Sequence, residues 1–171
     1  MKRTFEKISF DNFKETVSDD INLYNKFNIP VRKTKNSAGY DFESLINIVL
    51  SPGDKVVLPT GVKVKMAEDE MLMIVVRSSS GFKYNIRLCN QVGIVESDYY
   101  NNPDNEGHIF IALQNEGDRD FEIKIGDRIA QGIFTKFLTV TDEDEITDIR
   151  TSGIGSTGRR KDDKNDKYKR R

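Results

Sequence analysis

The chain has 171 residues, 32% of them charged and 36% hydrophobic, with 27 Lys and Arg set against 28 Asp and Glu. This length supports one domain with a sizeable core, and a formal net charge of −1 excludes a global field that would steer the protein to nucleic acid or anionic lipid. No run approaches the roughly 20 apolar residues that cross a bilayer. The basic start MKRTFEK leads into polar residues in place of an apolar signal core, so a soluble, cytoplasmic protein is expected.

The single cysteine, Cys89, excludes an intrachain disulfide, and in the apolar run with Ile86 and Leu88 it reads as a buried small hydrophobe. The single histidine, His108, opens the run His108-Ile109-Phe110-Ile111-Ala112-Leu113. Without a second histidine, zinc chemistry and a Ser/His or Cys/His nucleophile are both disfavoured. Catalysis therefore falls to carboxylates, a hard metal ion or bound water.

In chain order, Asn12 to Tyr24 predicts a short helix. From residue 38 onward, short apolar or alternating runs recur between Gly, Pro, Asp and Asn and predict strands. They are Ile46 to Leu50, Lys55 to Leu58, Val62 to Met66, Leu72 to Val76, Ile86 to Val92, His108 to Leu113, Phe121 to Ile125 and Ile129 to Phe137. Ser51-Pro52-Gly53-Asp54 is a strong turn signal between two of them. Short strands at regular spacing without a helical period predict an all-β sandwich, barrel or jelly roll. After Gly158 the chain reads RRKDDKNDKYKRR, with no aliphatic residue to bury, which predicts a disordered basic tail.

Several segments have the makings of a polyphosphate site. Arg77-Ser78-Ser79-Ser80-Gly81 follows an apolar strand and offers a guanidinium, hydroxyls and a glycine that lets backbone amides approach an anion. Gly126-Asp127-Arg128-Ile129-Ala130-Gln131 opens with a turn and carries Gln131 into the next strand. Gly153-Ile154-Gly155-Ser156-Thr157-Gly158, joined to Arg150, has a composition suited to wrapping a terminal phosphate. In Gly93-Ile94-Val95-Glu96-Ser97-Asp98-Tyr99 two carboxylates stand two apart and would share one face of an extended strand, where they could bind Mg²⁺, activate water or form a solvated hairpin end. Ala38-Gly39-Tyr40-Asp41-Phe42 places an acid between two aromatics. Any one of these alone is as readily an ordinary turn or strand start.

Their order and identity together are more specific. The series AGYDF, RSSSGFK, GIVESDYY, GDRIAQGIF and RTSGIGSTG resembles the five motifs of the trimeric all-β dUTPase family, over roughly Ser37 to Gly158. The resemblance implies a jelly-roll-like β-barrel or sandwich that forms a homotrimer with a flexible C-terminal arm. It implies hydrolysis of dUTP to dUMP and pyrophosphate with Mg²⁺, in active sites built from motifs of all three chains. On this sequence it makes Glu96 the catalytic carboxylate with Asp98 as fallback base, and has Arg77 orient that carboxylate. Asp41 would hold the metal through water, and Ser78 and Gln131 would contact the phosphate chain, beside Ser79 and Gly81. The stretch Gly93, Ile94, Val95 to Tyr99 would form the uracil-binding hairpin, with Tyr99 under the deoxyribose. Arg150, Ser156 and Thr157 would close over the γ-phosphate, with Ile154 and Gly155 in the same arm. The chain then divides into a β domain at 1–149, whose first 36 residues hold the short helix, an arm at 150–158 and the tail at 159–171.

Four features depart from the family pattern, one of them a spacing from Arg150 to Ile154 that is one residue shorter than in many members. Glu96 stands where the family carries Asp, which moves the carboxylate by about 1.5 Å, one C–C bond. Ile154 stands where the family has an aromatic over the base. Asn101-Asn102-Pro103-Asp104-Asn105 lengthens the loop after Tyr99 and reads as an extension of an exposed hairpin. Two other functions compete with an active dUTPase: a dUTP-binding or regulatory protein of weakened catalysis, and a dCTP deaminase, which shares an Arg-Ser-Ser stretch but not the Gly-Ser-Thr-Gly arm.

Overall fold

A computed structural model describes residues 2–142. Its strands are β1 (Thr4–Lys7), β2 (Tyr40–Glu43), β3 (Ile48–Leu50), β4 (Lys55–Pro59), β5 (Val62–Lys65), β6 (Glu70–Val76), β7 (Ile86–Leu88), β8 (Gly93–Glu96), β9 (Phe110–Asn115), β10 (Phe121–Ile123) and β11 (Arg128–Lys136). Three short helices join them: α1 (Phe10–Thr16), α2 (Ile21–Lys26) and α3 (Ser78–Tyr84). The strands pair antiparallel in the orders β2-β11-β6-β8, β4-β9-β7, β1-β5 and β10-β3, the expected all-β, jelly-roll-like arrangement.

Alternation drives the layers. Along β9 every second residue is buried, and β6 buries Glu70, Leu72 and Ile74 in the same period, so one face of each strand meets a shared core. Leu58, Leu72, Ile86 and Leu113 are fully buried there, and cutting one such leucine to alanine costs about 2–5 kcal/mol. Phe5 of β1 packs edge-on to Phe42 of β2, with ring centroids 5.8 Å apart. The Ser51–Asp54 turn forms as read: Gly53 sits at φ +87°, and the Asp54 amide donates to the Ser51 carbonyl at 3.0 Å.

The structure corrects several sequence expectations. The segment Asn12 to Tyr24 is two helices, because Asp20 accepts hydrogen bonds from the Asn22 and Leu23 amides and starts a new helix after Val17 ends the first. These helices build a satellite cluster in which Ile8, Phe13 and Leu45 are buried against Tyr24 and Phe27. Strand β1, unsigned in the sequence, is fastened by Arg3, which donates to both carboxylate oxygens of the buried Glu70. The run Ile86 to Val92 is not one strand. It stops at Leu88, turns through Gln91 at φ +63°, and resumes as β8. Cys89 lies in that turn and is exposed, not buried.

Candidate functional site

The four-stranded sheet brings the first cluster together. Strand β11 pairs with β2 and β6 so that Gln131 lies opposite both Asp41 and Val75. Directly opposite residues share a face, and Arg77, two residues past Val75 in extended backbone, falls on that face too. Its Nε meets Asp41 Oδ1 at 3.3 Å. Gly39 packs closely beside this row, where a Cβ would run into the side-chain amide oxygen of Gln131 and displace it.

Arg128 completes the cluster, and the sequence reading gave it no role. Three residues before Gln131, it would point to the opposite face of a regular strand. A β-bulge between Arg128 and Ala130 adds one residue, so that Ile129 and Ala130 are both buried while Arg128 turns back to face Asp41. Its Nη1 donates to Asp41 Oδ2 at 3.2 Å. Two adjacent apolar residues breaking the strand alternation are the sequence trace of that bulge. Asp41, 12% exposed, thus offsets two guanidiniums and fixes both at the mouth of an open cleft of about 280 Å³, lined also by Ser79, Ser80 and Asp127. Ser78 and Gly81 belong to α3, whose first turn follows Arg77 and leaves its leading amides without intrahelical partners. A larger concavity of about 390 Å³ between Gly53, Lys55 and Gln114 contains none of the motif residues.

The third motif lies elsewhere in the same chain. Strand β8 runs along β6 with Gly93 opposite Ile74 and Glu96 opposite Met71. Arg77 is six residues beyond Met71, so roughly 20 Å of strand separates Arg77 from Glu96, beyond the combined reach of both side chains. Ile94 and Glu96 are exposed and Val95 is half-buried. Asp98 does not share a strand face with Glu96, because extended structure ends at Glu96 and the chain enters a 3-10 turn at Ser97–Tyr99.

Tyr99 and its loop form a dense polar scaffold. The Tyr99 hydroxyl donates to the His108 carbonyl at 2.9 Å and accepts from Asn105 Nδ2 at 2.8 Å. Asn101, Pro103 and Asp104 of the loop are exposed, but Asn102 is only 5% exposed and its side chain bonds to Tyr99, Asp104 and Asn105. Glu106 fastens the loop to α1 and β5. Burial opposes its ionisation, but hydrogen bonds from the Ser9 hydroxyl and amide, Asn12 and Lys63 outweigh it and bring the pKa down to about 2. His108 is buried, with Nε2 accepting from the Gly61 amide at 2.9 Å, and desolvation lowers its pKa to about 4 against a weaker upward pull from Glu106.

Among the described residues no group of three or more His, Cys, Asp or Glu side chains is gathered for a metal ion. Asp41 alone cannot hold Mg²⁺, but one hard carboxylate beside two guanidiniums fits a cation that arrives with a polyphosphate and touches the protein through water. Arg150, Ile154, Gly155, Ser156 and Thr157 lie outside the described residues. None of the described helices is long and apolar enough to cross a membrane.

Fold and cluster define an all-β, jelly-roll-like protein with an acid-braced pair of guanidiniums suited to a phosphate chain. The family model described as dUTPase matches residues 25–158. A deoxyuridine 5'-triphosphate nucleotidohydrolase of Lactococcus lactis is 45% identical over 132 residues, covering 77% of this chain and 88% of that protein. The crystal structure of a dUTPase from Streptococcus mutans superimposes with TM-score 0.65 at 39% identity, over 80% of this chain and 97% of that one. A mutant dUTPase of phage phi11 of Staphylococcus aureus, whose structure is described as showing the coordination of a structural Mg(II) ion, matches in fold with TM-score 0.63 at 20% identity, covering 86% of this chain and 98% of its own. The chain belongs to the dUTPase family.

Proposed function

We propose that this protein hydrolyses dUTP to dUMP and pyrophosphate in sites shared between the chains of a homotrimer. The observation that carries the reading is the cluster of Asp41, Arg77, Arg128 and Gln131 at the mouth of the open cleft, in a chain whose relatives are named for dUTP. A phosphate chain placed there meets two guanidiniums already oriented by a carboxylate, together with Ser78, Ser79 and the opening amides of α3, so little reorganisation is needed as charge develops.

The reading makes Glu96 the base that takes a proton from water as its oxygen attacks the α-phosphorus. The bond from that phosphorus to the bridging oxygen breaks, and pyrophosphate leaves. Arg77 orients this carboxylate. Because the two residues stand at opposite ends of β6, Glu96 must come from a neighbouring chain. Mg²⁺ bound with the substrate would offset charge on the phosphate oxygens, with Asp41 reaching it through water. The strand Gly93–Glu96 offers backbone groups to the uracil edge with Ile94 and Val95 beside it, Tyr99 packs where a ribose 2′-hydroxyl would stand, and Arg150, Ile154, Gly155, Ser156 and Thr157 close over base and γ-phosphate.

Pyrophosphate release measured with Mg²⁺ and dUTP, dTTP or UTP tests this. Turnover is expected for dUTP alone, and none with dUTP at high enzyme concentration overturns it. Light scattering tests assembly, where a monomer mass removes the shared site.

A further inference from the structure

We propose that Asn105 is a positioning residue for Tyr99, and that the loop from Asn101 to Gly107 exists to make the tyrosine a stiff wall against ribose. The inference rests on the proposed dUTP reading and adds to it a residue that sets sugar selectivity.

A phenol that excludes a hydroxyl by contact discriminates only as far as it cannot yield, since a small displacement would admit the extra atom. Here the ring is held by its far end. The Asn105 amide donates to the Tyr99 hydroxyl, and the hydroxyl in turn donates to the His108 carbonyl, so one donor and one acceptor fix its direction. The Asn105 amide cannot rotate freely to release it. Its Oδ1 accepts from the Gly107 amide at 3.0 Å and from Asn102 Nδ2 at 2.8 Å, which leaves Nδ2 aimed at the phenol.

The rest of the loop is built around that amide. Asn102 Oδ1 accepts from the Asp104 and Asn105 amides at 3.0 and 3.1 Å, and its Nδ2 returns to the Tyr99 carbonyl at 2.9 Å. Asn101 and Glu106 take left-handed backbone at φ +55° and +60°, and the Asn101 amide closes the ring on the Glu106 carbonyl at 3.1 Å. Two such residues in one loop cost free energy that the surrounding contacts must offset. The offset comes from Glu106, which draws Ser9, Asn12 and Lys63 onto the loop. A loop serving only as a connection needs no such bracing.

The test compares kcat/KM for dUTP with that for UTP in wild type, Asn105→Asp, Asn105→Ala and Tyr99→Phe, and in the double variant of Asn105→Asp with Tyr99→Phe. Asn105→Asp keeps the oxygen that holds Gly107 and Asn102 and exchanges the donor facing Tyr99 for an acceptor, so it separates positioning from loop folding. The dUTP-to-UTP ratio is expected to fall roughly tenfold in both Asn105 variants, the value of one net hydrogen bond, chiefly through a gain on UTP. In the Tyr99→Phe background Asn105→Asp should lower it no further. Equal losses on both nucleotides, or an undiminished effect without the hydroxyl, overturn the inference while leaving the dUTP reading intact. A wild-type protein that does not prefer dUTP to UTP overturns both.

Discussion

Register, not sequence distance, dictates the most demanding prediction. Glu96 pairs with Met71 at the start of β6, and Arg77 follows its end, so no single chain unites them. Equal amounts of Arg77→Gln and Glu96→Gln chains, each inactive alone, should regain activity when denatured together and refolded. In a cyclic trimer assembled at random, a site works when its Arg77 donor is the Glu96 variant and its Glu96 donor is the Arg77 variant, each with probability one half. About one quarter of wild-type turnover per site is therefore expected. A site confined to one chain predicts none. The converse mixture, wild type with the double variant, should give about one quarter for a shared site and about one half for an intrachain one. Pyrophosphate release after refolding measures both, and a silent first mixture with a half-active second would refute the argument from register.

Burial of His108 couples stability to pH. Its Nε2 must keep a lone pair for the Gly61 amide, and burial holds its folded pKa at about 4, below the ordinary histidine value of 6.5. The unfolded chain thus binds the extra proton, and stability present above pH 6.5 is lost as pH falls towards 4, by about 3 kcal/mol. Denaturant titrations at fixed protein concentration should show this slope, and His108→Gln should flatten it. Glu96→Asp should raise kcat by up to about 10²-fold if the longer side chain misplaces the carboxylate by about 1 Å, and an unchanged or lower kcat would mean that the hairpin has adapted to Glu. Gly107→Ala would place a Cβ 2.5 Å from the Tyr99 carbonyl at a φ of +81°, and the backbone strain alone should cost roughly 1–3 kcal/mol in thermal or denaturant unfolding. Gly39→Ala should weaken substrate binding more than stability, because what yields is the flexible end of Gln131.

Much of the fold was legible because its signals are local. Alternation marks β6 and β9, and Pro52-Gly53 marks a turn whose φ values those residues prefer. What escaped depends on partners distant in sequence. Strand β1 is four residues made stable by Phe5 against Phe42 and by Arg3 on Glu70. Cys89 is exposed because it falls on the outward face with Arg87, in the alternation that buries Ile86 and Leu88, and apolar neighbours in sequence do not say which face a residue takes.

The candidate site divides along the same line. Arg77 was legible from phosphate chemistry and Asp41 and Gln131 from the resemblance of their motifs, and β2, β6 and β11 do bring the three together. Arg128 was not, since its facing depends on one bulged residue, and parity along a strand reverses with a single insertion. The separation of Arg77 from Glu96 within one chain was implied by the resemblance but could not be read from the residues themselves. Motif order is a property of the chain, whereas the distance between motifs is set by which strands pair and in what register. Two groups at opposite ends of one seven-residue strand serve one reaction only if a second copy supplies the other end. On the proposed reading, the same antiparallel register that keeps β8 on β6 means that each site needs a second chain.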